Sequence, residues 1–112
     1  MDAQNLQLVE IVNRLKRGTQ EGKLLWEHMG TLEHEYSAPL DGGNRALVAR
    51  TPNGQSVILT MSNAQGVQSL YLDSARVASD ILRLALLQLF VSVRDTLAHH
   101  AASQALDAVK DL

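Results

Sequence analysis

At 112 residues, with 46% apolar and 20% charged side chains, the chain has the composition of one folded domain, 1–112, and not of a disordered segment. A formal net charge of −2 excludes a general attraction for nucleic acid, so any phosphate-binding site must be local. The absence of cysteine excludes disulfides and thiolate zinc sites and suits a reducing compartment. The first apolar residues, Leu6, Leu8 and Val9, are interleaved with Gln and Glu, which is unlike a signal peptide. The most hydrophobic run, Ile81 to Val93, is broken by Arg83, Gln88 and Ser92, too short and too polar to cross a bilayer. The expectation is a cytoplasmic domain without a membrane partner.

The N-terminal segment carries a heptad-like alternation. Leu8, Ile11, Leu15, Gly18, Gly22, Leu25, Met29, Leu32 and Tyr36 recur at intervals of three and four. The two glycines either form a loop between short helices or narrow the seam of one long helix. The unbroken register favours the long helix, ending near Ser37-Ala38-Pro39, where proline stops it. Asp41-Gly42-Gly43-Asn44 then reads as a loop.

Ala46 to Arg50, Ser56 to Met61 and Ser69 to Leu72 are short runs of aliphatic, β-branched and aromatic residues. Thr51-Pro52-Asn53-Gly54 and Asn63-Ala64-Gln65-Gly66 have turn composition between them. The expectation is a three-stranded antiparallel meander. In its middle strand Val57, Leu59 and Met61 share one well-buried face, with Ser56, Ile58 and Thr60 on a face only partly covered.

From Asp80, with Ser74 or Ser79 as N-cap, Leu82, Leu86, Leu89, Val93 and Leu97 mark one side of a C-terminal helix. Ile81, Leu84, Leu87, Phe90 and Val91 make its first turns apolar nearly all round, so it must be covered on more than one side. Its last third is rich in alanine. The fold class expected is α+β: a long N-terminal helix, the meander, then a C-terminal helix. Its apolar surface exceeds what one small chain can bury, which predicts a homodimer.

The run Ala46 to Ser74 resembles the core of the YbaB/EbfC nucleoid-associated family. The resemblance is carried by Thr51-Pro52-Asn53-Gly54, Val57-Ile58-Leu59-Thr60, Gly66-Val67 and Leu70-Tyr71-Leu72-Asp73, with a helix on either side. The chain departs from the family pattern at Ser74, where proline is common, at Gly18 and Gly22, and in lacking a basic, Met-rich start. The resemblance implies a homodimer with a shared sheet, projecting helical arms, association with the nucleoid and DNA binding of low sequence specificity. Some relatives are associated with secretion loci, so a protein partner is the alternative: an interaction or chaperone-like module using its helical arms.

The residues for DNA are Arg14, Lys16, Arg17 and Lys23, the densest basic cluster, which would meet phosphates without reading bases. They equally suit the solvated face of an amphipathic helix. Glu27, Glu33, Glu35 and Asp41 follow them and turn the segment acidic, which favours the protein partner. Arg45, Arg50 and Arg76 are isolated cations. His28 and His34 stand six apart and His99 and His100 are adjacent, so neither pair has helical metal-ligand spacing. No nucleophile triad, phosphate loop or carboxylate pair appears. The expectation is a protein that is not an enzyme and needs no cofactor or metal.

Overall fold

The period-two runs become strands where they were expected. The computed structural model describes residues 3–29 and 34–112, and its elements are helix α1 (Ala3–Gln20), strands β1 (Glu27–His28), β2 (Glu35–Pro39), β3 (Arg45–Arg50), β4 (Val57–Ser62) and β5 (Gln68–Asp73), and helix α2 (Asp80–Val109). The fold is α+β, with two helices and one antiparallel sheet in the order β1-β2-β3-β4-β5.

Two expectations are corrected. The sheet has five strands, because β2 pairs with β3 and the two-residue β1 pairs with β2, ahead of the three expected strands. The first helix is not long, since it stops at Gln20 and the chain turns back into β1 and β2. Gly22 explains the stop. Its φ is +75°, the Gly22 N–H donates to the Thr19 carbonyl (3.2 Å), and the Lys23 N–H reaches the Gly18 carbonyl (2.8 Å). Those two bonds are a Schellman C-cap, which needs a left-handed residue after the helix. Gly18, by contrast, is helical, and the Leu24 side chain folds back to within 3.3 Å of where its Cβ would stand. Leu25 and Met29, expected on the seam, are exposed, and Leu32 lies outside the described residues. Nothing lies near the Gly22 Cβ position, so Gly22→Ala meets no clash and loses only the left-handed backbone preference. We expect it to cost about 1 kcal/mol in a urea melt.

The sheet has two unlike faces. Tyr36, Val48, Leu59 and Leu72 lie in one row across β2 to β5 and are buried. Ser37, Leu47, Thr60 and Tyr71 form the row on the opposite face, where Tyr71 is 50% exposed. Val57 and Leu59 point to the buried face and Ile58 and Thr60 to the other, as the alternation in β4 requires.

Helix α2 starts at Ser79, whose hydroxyl accepts from the Leu82 N–H at 3.2 Å, and its Leu82, Leu86, Leu89, Phe90 and Val93 enter the core over β3 and β4. Helix α1 lies beside α2 and contributes Val12 and Leu15 to the same cluster. The two helices run in the same direction: Lys16 hydrogen-bonds Gln88, and Leu24, just past α1, lines one cavity with Leu97.

Ser74 is not a helix cap. It is buried and its hydroxyl accepts from the Val57 N–H at 2.8 Å, while its carbonyl takes the Arg83 Nε (3.0 Å). Ser74→Ala strands the Val57 amide in the core and should cost about 1–3 kcal/mol in the same melt.

Candidate interaction surfaces

The four basic residues do not form one surface on α1. Arg14 is exposed and ion-paired with Glu10 at 2.7 Å, one turn earlier. Its guanidinium holds the Glu10 carboxyl below the ordinary carboxylate range, chiefly through their hydrogen bond. Lys23, beyond the helix, pairs with Glu21 at 3.0 Å. Lys16 is half-buried and donates to Gln88 of α2 at 3.1 Å. Arg17 is exposed, three residues from Arg14 and therefore on its side of the helix. Arg45 and Arg76 are engaged locally, Arg45 with the Ser37 hydroxyl (3.0 Å) and Arg76 with Asp73 (3.8 Å).

A cluster that sequence spacing hid lies where β1 and β2 meet α2. His28 packs against Tyr36 with tilted rings whose centroids are 4.8 Å apart, and Tyr36 meets Phe90 at 5.9 Å. Arg50 and Arg94 both lie over the Phe90 ring, at 5.6 and 6.0 Å. Arg50 Nη2 is 3.5 Å from the His34 ring, and its buried Nε has no partner among the described residues. His28, Arg94 and His100 line one open cavity of about 400 Å³. His28 and His100 are 72 positions apart, and no local signal relates them. Among the described residues no group of three His, Cys, Asp or Glu side chains is placed to hold a metal.

The most extensive exposed apolar feature belongs to α2. Leu84, Leu87 and Val91 are all exposed on the side away from its core residues, and Ile81 is exposed on its flank. Leu84, Leu87 and Val91 form one wall of a groove of about 510 Å³ whose other wall is Lys16 and Gln20 of α1. Every residue from 98 to 112 is exposed, so the last turns of α2 extend past the sheet and α1. This arm makes the molecule long, 57 Å against 30 and 26 Å across. No helix among the described residues is long and apolar enough to cross a membrane.

These features define a class by architecture: a five-stranded antiparallel meander with α2 across one face, α1 packed beside α2, and a projecting helical arm. No protein-family model matches the chain, and no curated protein or solved structure matches it either.

Proposed function

We propose that the chain is a non-catalytic protein-interaction module and that α2 is the element through which it binds. The observation that carries this reading is the apolar stripe of α2, exposed from Leu84 onward and prolonged by an arm whose residues are all exposed. Exposed apolar surface of this extent is uncommon on a free monomer and marks an interaction site. The test is photo-crosslinking in cells. A benzophenone amino acid at Leu84 or Val91 should give protein adducts, and one at Gln55, in the exposed β3–β4 turn, should give none. The same yield at all three positions would remove α2 as the binding element.

DNA is the second reading, and Arg14 with Arg17 on one exposed side of α1 is the observation in its favour. Exposed ion pairs such as Arg14–Glu10 are worth about 0–1 kcal/mol, so a phosphate could displace Glu10. Two copies of Arg14 and Arg17 making four phosphate contacts would give a log–log salt slope near −4. On the interaction-module reading, duplex DNA is not bound even at low ionic strength. A steep salt slope that Arg14→Ala with Arg17→Ala flattens would establish the nucleic-acid reading and a nucleoid location instead. The resemblance to the YbaB/EbfC family supports that second reading through β3 to β5 alone, since the long first helix it called for is replaced by α1 and a hairpin. A shared sheet would have to form at β5, because β1 offers only two residues at the other edge.

A further inference from the structure

The stripe on α2 is complementary to itself when reversed. At about 100° per residue, Leu84, Leu87, Val91, Ala98, Ala102 and Ala105 all fall within about 40° of one line along the helix. The large side chains occupy its first half and the alanines its second half, with Val109 on the same line at the very end. Arg94 and Asp95 lie at the midpoint, half-exposed or more, and touch each other only loosely at 3.6 Å. We propose that the occupant of this stripe is the α2 helix of a second copy of the chain, antiparallel, with the two-fold axis beside Arg94 and Asp95. This rests on the interaction-module reading and names its partner.

Two physical points, size and length, select that arrangement against a small cost in charge. The first is size. Centred on residues 94 and 95, an antiparallel pair brings Leu84 level with Ala105 of the second copy, Leu87 with Ala102 and Val91 with Ala98. Each of these three levels then holds one large and one small side chain, and the helix axes keep an even spacing there, within the usual range of about 8–10 Å. A parallel pair would set leucine against leucine at one end and alanine against alanine at the other, forcing the helices to splay. Charge works the other way: across an antiparallel pair Arg94 faces Arg94 of the second copy and Asp95 faces Asp95. Each Arg94 keeps its own Asp95 at 3.6 Å, however, and exposed charges of this kind count for little, so size decides. The second point is length. A helix of about 12–15 residues is marginal in water on its own, and the arm from 98 to 112 has no cover within the chain. In the antiparallel dimer each arm lies along the other copy's groove, over Leu84, Leu87 and Val91.

The chain has no cysteine, so single engineered thiols report on the arrangement without interference. Leu84→Cys and Ala105→Cys, both at exposed positions, are purified separately and treated with a short bismaleimide alone and after mixing. In the proposed dimer residue 84 of one copy stands about 30 Å from residue 84 of the other, from the helical rise of about 1.5 Å per residue. The mixture should therefore give a covalent dimer and each variant alone should not, while Asp95→Cys, next to the axis, should link to itself. Self-linking of both Leu84→Cys and Ala105→Cys would establish a parallel pair and overturn the proposal. A monomer mass by light scattering at micromolar concentration, with no linking in any variant, would overturn it too. The photo-crosslinks at Leu84 and Val91 would then decide separately whether α2 still binds a different protein. As an independent measurement, Leu84→Glu with Leu87→Glu should weaken self-association at least tenfold and leave the far-ultraviolet dichroism of the chain unchanged. An unchanged association constant would place the contact elsewhere.

Discussion

Replacing Trp26 by alanine is expected to destabilise the chain by about 3–5 kcal/mol, the range for deleting a large aromatic from a core. Trp26 is 5% exposed and sits in the link between α1 and β1, in the same core cluster as α2 and the sheet. Its Nε1 donates to the Thr19 hydroxyl at 2.8 Å, and that hydroxyl donates to the Leu15 carbonyl at 2.8 Å. The indole thus ties the start of the β1–β2 hairpin to the last turn of α1. Trp26→Phe keeps most of the apolar contact and gives up one hydrogen bond, worth about 1 kcal/mol net, so it should fall well short of the alanine variant. Urea melts followed by far-ultraviolet dichroism measure both, since the only tryptophan is lost in each. If Trp26→Ala cost less than about 1 kcal/mol, the hairpin would not be held to the helices through this residue.

The difference between what the sequence conveyed and what the chain does is concentrated around that hairpin. Strands β3 to β5 were legible to within a residue, because alternation and two turn sequences agree there. The turns close as their composition implies: the Gly54 N–H donates to the Thr51 carbonyl, and the Asn63 side chain accepts from the Gln65 and Val67 amides. The core side of α2 was legible for the same reason, one periodicity sustained over many residues. The first helix was misjudged because a C-cap glycine fell in heptad phase. Gly22 was read as a narrow place in a seam, although a left-handed glycine at C′ ends a helix whatever the register beyond it. Tyr36 and Ala38 point inward from a five-residue strand, too short a run for its alternation to outweigh a helical pattern. Pro39 suits the stop of a helix, and it is instead the last residue of β2. The basic cluster was visible as a cluster, but its pairing was overlooked. Glu10 stands four residues before Arg14, the favourable order for a helical ion pair, so that signal was available. The convergence of His28, Arg94 and His100 left no trace, because it exists only once the sheet and α2 are packed together.

Leu86→Ala and Leu87→Ala should behave as differently as any neighbouring pair in the chain, and the contrast tests which sides of α2 are covered. Leu86 is fully buried, packed in the common core of the sheet and both helices. Truncating it removes apolar contact and leaves a cavity that the surrounding strands cannot close, for a loss of about 2–5 kcal/mol. Leu87 lies about 100° further round the helix and is 39% exposed, on the wall of the groove. Within a single chain its truncation should cost about 1 kcal/mol or less, because much of its surface already meets water. Melts at two protein concentrations separate the two roles. Leu86→Ala should lower the midpoint equally at both, since its contacts are internal. Leu87→Ala should lower it mainly at the higher concentration, where association stabilises the folded chain by mass action and the variant weakens that association. A large loss for Leu87→Ala that does not change with concentration would put this residue in the core of one chain, and the outer side of α2 would no longer be a surface looking for a partner.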